Sequence, residues 1–416
     1  MSDAPIPPLR FLDVFPIRHN GESLVALRDP EGICEETFVM RLPGYLIANC
    51  FDGRRSAGEA RAAFRLQYGL DIQTADVAAL AGQLDERFLL RSPRYLEKRR
   101  EVEREFDALR VRPAAHAGQA YPAEAAAFRQ TVESFFTLPG GAGPIDGHGA
   151  TERRRLAGLV IPHMDPRCSG ACSSWALKAL AESERPDAFV IFGVSHHPAR
   201  CLFSACDKDF ETPLGAAPCD RELLGALRRG YGAQRLDDAM AHRTEHSAEF
   251  MAVLIHAMYG DSMPPIVPIL CGSFHEFIES GKSPLERPEV AEFRQCMRDA
   301  VRQSGKRVCY VSGADLAHMG RKFGDEFGVS EALIESTRAR DGELLDFAAR
   351  LDAEGFFQHV AREKDARKIC GLPPTYMALV CMDAARGQLL KHDWNVESET
   401  DSLVSFCSMA FYIEQD

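Results

Sequence analysis

The sequence predicts an α/β protein with a mostly parallel sheet flanked by helices on both faces, preceded by a small α+β winged-helix domain. Three observations predict it. The 416 residues are more than one ordinary core holds, so two domains are expected. From about residue 113 onward, short apolar β-rich runs alternate with helical stretches, as parallel strands covered on both faces require. Residues 1–98 instead read as a strand and three helices running into a short apolar strand, a winged-helix order.

Taken in order, EETFVMRL (35–42) reads as a strand and PGYLIANCFDG (43–53) as a helix that stops at a glycine. SAGEARAAFRLQYG (56–69) is a second helix, in which Ser56 and Glu59 have capping-box spacing and Gly69 closes the last turn. TADVAALAGQLDERFLLRS (74–92) sets Val77, Leu80 and Leu84 at helical spacing and runs into FLL as a strand. YLEKRREVEREFDALRVR (95–112) is a charged helical connector. The expected division is therefore 1–98, a helical linker 99–112, and 113–416. GGAGPIDGHGA (140–150) is a flexible loop ahead of the first strand of the larger domain. The strands that follow are GLVIPH (158–163), AFVIFGVSHH (188–197), PIVPILCG (265–272) and RVCYVSGADLAH (307–318).

Composition narrows the function classes. A hydrophobic fraction of 45% with 26% charged residues is that of a soluble globular chain, and no apolar run approaches the roughly 20 residues that span a bilayer. A net charge of −12 without a Lys/Arg block argues against general nucleic-acid binding. The N-terminus lacks a signal-peptide pattern, and 13 scattered cysteines without a C-x-x-C pair fit reduced thiols. The expectation is a cytoplasmic protein with no membrane or nucleic-acid partner. Neither a P-loop, a G-x-G-x-x-G turn nor a G-x-S-x-G elbow occurs, which sets aside nucleotide binding and serine hydrolysis.

The chemistry gathers where strands end. Three of the apolar runs finish in histidine: His163, His196 with His197, and His318, the last with Asp315 three residues earlier. His275 follows a fourth. In open α/β sheets ligands bind beyond the carboxyl ends of the strands, so these side chains point toward one crevice. TEHSAEF (244–250) opens a helix with Glu245, His246 and Glu249, and ARKICGLPP (366–374) places Cys370 in a turn beside Arg367 and Lys368. Two readings of each stand: Glu245 and Glu249 as site residues or as charges facing a helix dipole, and Cys370 as a thiolate or as a buried inert thiol.

Seven of these segments, in order, resemble the motifs of the Memo family, which includes the AmmeMemoRadiSam system protein B. They are AHAGQAYPA (115–123), IPHMDPRCSG (161–170), FGVSHHP (192–198), FETPLG (210–215), TEHSAEF, VSGADLAHMGRKF (311–323) and ICGLPP (369–374). ESETDSLVSFCSMAFY (397–412) resembles the family's closing strand. The resemblance implies a fold similar to class III extradiol dioxygenases, with His163, His196 and Cys370 as metal ligands. It implies that His318 and Asp315 line the same pocket and that Glu245 and His246 form an E-H-S motif there. Two imidazoles and a thiolate suit iron or copper, and zinc takes the same donors. The chain departs from the family's usual PHAGYxYSG by reading PHMDPRCSG, which loses two tyrosines and introduces Asp165, Arg167 and Cys168. Cys168 and Cys172 stand i, i+4, as a thiol pair or as two small buried residues. Ala120 replaces a family aromatic. In the first domain, FDGRRS (51–56) and LDERFLL (84–90) resemble PqqD-like modules, which implies a peptide or leader-like ligand.

Three functions follow as expectations. One is a metal-dependent oxidoreductase or oxygenase in which His318, oriented by Asp315, is acid or base and Glu245 and His246 support the metal or relay protons. Another is a copper or iron carrier with little turnover. The third is an interaction module that holds a peptide for a radical SAM partner.

Overall fold

The computed structural model describes residues 4–19, 21–145 and 154–414. The chain forms two compact units, Met1–Leu109 and Arg110–Asp416.

In the first unit a meander of β1 (Asp13–His19), β2 (Glu22–Arg28) and β3 (Phe38–Arg41) forms an antiparallel sheet. Helices α1 (Leu42–Ala48), α2 (Ala57–Tyr68), α3 (Thr74–Glu86) and α4 (Pro93–Ala108) follow. Ser56 and Glu59 close the expected capping box and Gly69 ends α2 in the left-handed region. The core joins Leu27, Ile47, Phe64, Val77 and Leu84. Two expectations change. FLL reduces to an isolated bridge between Leu90 and Leu9. The charged helix packs on the first unit, since Tyr95 and Arg99 both donate to Glu31, and it stops at Ala108. Arg112, expected in that helix, lies instead in a short strand, β4 (Val111–Arg112).

The second unit runs through α5 (Ala125–Phe135), β5 (Leu156–Ile161), α6 (Pro166–Ala181), β6 (Ala188–Val194), β7 (Phe203–Ala205), β8 (Asp209–Thr212), β9 (Gly215–Ala217) and α7 (Arg221–Tyr231). It continues with α8 (His246–Tyr259), β10 (Ile266–Cys271), α9 (His275–Ser280), α10 (Pro288–Ser304), β11 (Val308–Gly313) and β12 (Asp315–Gly320). The last elements are α11 (Glu331–Ala349), α12 (Ala353–Arg362), α13 (Leu372–Cys381), β13 (Arg386–Glu397) and β14 (Ser402–Tyr412). Of the loop expected at 140–150, residues 146–150 lie outside the described residues.

The main sheet has the order β12-β14-β5-β11-β6-β10-β7, with β13 paired to β14. Its four central strands, β5, β11, β6 and β10, are parallel, and the flanks are antiparallel. The α/β class is thus as the sequence predicts. Strand residues alternate between two cores, as a pleat with period two demands. Leu159, Ile161, Phe189 and Ile191 face the side of α5, α6 and α8, whereas Val160, Val190 and Phe192 face that of α7, α10, α12 and α13.

One run predicted as a single strand is two. RVCYVSGADLAH breaks at Gly313–Ala314, and His318 lies inside β12, antiparallel to β14, rather than at the end of a parallel strand. The break comes where Ala314 donates to Ile161 O and the chain leaves β11 for the far side of β14.

Glycine at two strand ends lets α8 approach them. A Cβ on Gly193 would lie 2.6 Å from Ser247 Oγ, and one on Gly313 2.7 Å from Ser247 O. The Ser247 hydroxyl accepts from Val194 N–H at 3.0 Å and donates to Val194 O at 3.0 Å, docking the first turn of α8 on β6. Gly193→Ala should therefore destabilise the protein by about 1–3 kcal/mol, as overpacking does. Chemical denaturation checks this, and an unchanged midpoint would mean that the contact yields freely.

Candidate metal centre

The parallel strands β5, β6 and β10 end in register beside β11, so the residues that follow them meet along one edge. His163 stands two residues past β5 and His196 two past β6, while His246 opens α8 just beneath them. The three imidazoles each bring a nitrogen within 4.8 Å of the others. Ring centroids lie 5.0 Å apart for His163 and His196, 5.2 Å for His163 and His246, and 4.7 Å for the stacked pair His196 and His246. Cys370, on the turn before α13, completes the group with Sγ 3.3 Å from His163 Nε2.

Each ring is held by its other nitrogen. His163 Nδ1 lies 2.8 Å from Gly313 O, and a carbonyl only accepts, so Nδ1 carries a proton and it is Nε2 that faces the cluster. His196 Nδ1 donates to Glu245 Oε1 at 2.9 Å, and His246 Nδ1 lies 3.3 Å from the same oxygen. Glu245 is the N-cap of α8 and is buried. Its carboxylate also accepts from the backbone N–H of His196 at 3.0 Å and of Ser247 at 3.0 Å.

The charges compensate one another. Burial raises the Glu245 pKa, but His196, His246 and these hydrogen bonds outweigh it and hold the carboxyl well below its usual range. Burial would lower His163, yet Asp315 and the Cys370 thiolate lift it to about 9. His196 is raised likewise against burial, chiefly by Glu245. His246 goes the other way: burial and the imidazoles of His196, His163 and His116 outweigh Glu245 and hold its pKa well below the usual range. Burial would raise the Cys370 thiol, whereas His163, His318 and the bonds to His163 and His196 bring it down to about 5.

Asp315 and His318 are not a pair. Asp315 Oδ1 accepts from His163 N–H at 3.1 Å, and its Oδ2 lies 3.5 Å from His163 Nε2. His318 Nδ1 instead faces the carbonyls of Leu316 at 3.0 Å and Lys368 at 3.1 Å. The expectation that Asp315 orients His318 is corrected by β12, where residues three apart straddle a bulge in a strand and their side chains diverge. His275 stands on the surface, paired with Glu279. Cys168 is exposed while Cys172 is buried, so the two share α6 but not one environment.

Sequence reasoning missed Arg112. Its fully buried guanidinium pairs with Glu249 and donates to the carbonyls of His242 at 2.8 Å and Glu245 at 2.8 Å. Glu249 also accepts from the N–H groups of Ala115 and His116 and from the Tyr121 hydroxyl. It is the centre of a buried network under the site, and it also lies in the first turn of α8. Nothing in the wording of residues 95–112 marked this arginine out from its charged neighbours. The AHAGQAYPA motif is explained by the same carboxylate, which its backbone and tyrosine surround.

A cavity of about 320 Å³ opens beside the cluster. His196 and Cys370 form part of its wall, together with Val194, Phe274, Ile278 and Leu372.

The lowered thiol pKa has a direct consequence. Metal-free protein should alkylate at Cys370 at a nearly level rate from about pH 8 to about pH 6, falling only as the thiolate protonates through about 5. His163→Ala should restore the roughly tenfold loss per unit of an ordinary thiol below its pKa. Mass spectrometry of the iodoacetamide adduct against pH reads this. An ordinary profile in the unaltered protein would refute the ion pair.

Comparison with known proteins gives the family. A family model described as "Memo-like protein" matches residues 112–410. A MEMO1 family protein of Aquifex aeolicus is 26% identical over 409 residues, covering 98% of this chain and 100% of that protein. MEMO1 family proteins of Methanopyrus kandleri and Ignicoccus hospitalis are 27% and 28% identical, each over 72% of this chain and 98% of their own length. The matched span begins at the Arg112 clamp and ends in β14, enclosing every residue of the cluster, and the chain belongs to the Memo-like protein family.

Proposed function

We propose that this cluster is a mononuclear transition-metal centre held by His163, His196 and Cys370, serving redox or oxygenase-type chemistry in a cleft similar to that of class III extradiol dioxygenases. The observation that carries the reading is the approach of Cys370 Sγ to 3.3 Å from His163 Nε2, beside the donors of His196 and His246. Bond lengths of about 2.0 Å to imidazole and about 2.3 Å to thiolate put two such donors about 3.5 Å apart around one tetrahedral ion. The donor set therefore fits. Imidazole and thiolate favour iron, copper or zinc over magnesium or calcium, which take oxygen shells. When bound, such an ion supplies Lewis acidity and, for iron or copper, one-electron chemistry.

The chain's own groups have separable tasks in this reading. Gly313 O and Glu245 fix the ring orientations of His163 and His196, leaving Nε2 of each directed at the site. His246, kept neutral, stands beside them as a further donor or a proton acceptor. His318 has its Nδ1 tied to the carbonyls of Leu316 and Lys368, which fixes the ring for a role as acid or base. The open cavity, walled by Val194, Phe274, Ile278 and Leu372 with Asp365, Lys368 and His275 also on its lining, has room for a small substrate. A cysteine in place of the carboxylate of ordinary two-histidine, one-carboxylate iron sites separates this centre from plain extradiol chemistry.

A second reading concerns the first unit. Among the described strands β3 pairs only with β2, and an open strand edge accepts an extended peptide by strand addition. This favours a PqqD-like role in presenting a leader-like segment, with a radical SAM enzyme as partner.

Elemental analysis of anaerobically purified protein tests the metal reading. About one equivalent of iron, copper or zinc is expected per chain, with metal affinity reduced about 10–100-fold or more in Cys370→Ser and His163→Ala. Equal metal content in both variants and the unaltered protein would overturn it.

A further inference from the structure

The turn that presents Cys370 is strained. Lys364, Asp365 and Lys368 all have φ of 52°, in the left-handed region that non-glycine residues rarely occupy. Such a segment persists only when its surroundings over-determine it. Arg367 lies within the turn and is buried, and it is anchored twice, by Asp341 of α11 and by Glu363 at 2.8 Å. Asp341 is wholly buried, far from any solvent that would otherwise satisfy it.

Its second oxygen reaches the opposite wall. Ser405 Oγ of β14 donates to Asp341 Oδ2 at 2.6 Å, and His392 Nε2 of β13 lies 3.2 Å from the same atom. Ser405 Oγ in turn accepts from Ala317 N–H of β12 at 2.9 Å. The circuit closes on the site side, where His318 N–H donates to Arg367 O at 2.7 Å and Gly371 N–H to Asp315 O at 3.0 Å. One carboxylate thus ties down both the strand carrying Asp315 and His318 and the turn carrying Cys370. It touches neither.

We propose that Asp341 is the positioning residue of the metal centre, setting through Arg367 and Ser405 where the Cys370 sulfur stands relative to His163 and His196. The inference rests on the metal reading above. Stability alone needs no carboxylate here, because apolar groups of similar volume are often as good in a core. What an apolar replacement does not provide is two directed arms at a fixed angle, one to a strained turn and one to a strand.

The test titrates cobalt(II) alone into metal-free full-length protein and its variants. In the unaltered protein, bound cobalt should show thiolate charge-transfer absorption together with ligand-field bands, and Cys370→Ser should remove the charge transfer. Asp341→Asn keeps size and should bind cobalt about 10–100-fold more weakly, the range for outer-shell partners of metal ligands. Its charge-transfer intensity per bound cobalt should fall to half or less while the ligand-field bands of histidine-held cobalt persist. A general loss of fold would diminish both together, so this split identifies positioning. Unaltered affinity and charge transfer in Asp341→Asn would overturn the proposal. Ser405→Ala, which leaves the Asp341–Arg367 pair intact, carries the test if Asp341→Asn does not fold. A loss of threefold or more in affinity supports the circuit, and none overturns it. Absence of any cobalt binding by the unaltered protein would overturn the metal reading itself, which separates the two failures.

Discussion

Glu245 is the group on which the rest of the site depends. It is a carboxylate without solvent, and such a charge is stable inside a protein only when its oxygens are filled by donors. Here the donors are the backbone and ring of His196, the backbone of Ser247 and, at longer range, the ring of His246. Satisfying one buried anion therefore aligns the end of β6 with the start of α8. It also determines which nitrogen of His196 faces the cluster. The same residue caps α8, so helix, strand end and ring orientation are set together.

Beneath it a second buried anion, Glu249, is neutralised by Arg112, whose remaining donors hold the chain that leads into Glu245. On the other side Asp341 and Arg367 form a third compensated pair behind the Cys370 turn. The three carboxylates occupy the same kind of niche: wholly buried, each with a cationic or imidazole partner and with further donors. Breaking a buried pair of this sort leaves a charge unpaired, which costs more than the pair contributes over an apolar substitute. The cluster is thus framed by interactions that are costly to disturb.

Several parts of this were legible from residues alone. Apolar β-rich runs at intervals meant parallel strands, and histidines closing those runs meant a crevice at their carboxyl ends. His163 and His196 stand there, two residues past β5 and β6. The capping box at Ser56 was equally legible because its geometry is local. What failed was reading across long range. VSGADLAH looked like one strand ending in histidine, but Gly313–Ala314 turns the chain to join β14, a partner nearly ninety positions away in sequence. Asp315 and His318 looked like a pair through the family resemblance, whereas in β12 one turns to His163 and the other to the carbonyls of Leu316 and Lys368.

By itself the sequence determined the α/β class, the strands that end at the site, and the residue types gathered there, since each follows from periodicity, capping and position along a strand. Only the tertiary structure decided which ring nitrogen of His163 and His196 is tied to a carbonyl or carboxylate, that Cys370 lies against His163, and that Arg112 and Asp341 stand behind them. Those properties arise between residues from 26 to 207 positions apart, through charges compensated away from water. A linear pattern holds no record of which buried donor will meet which acceptor until the sheet is closed and solvent excluded.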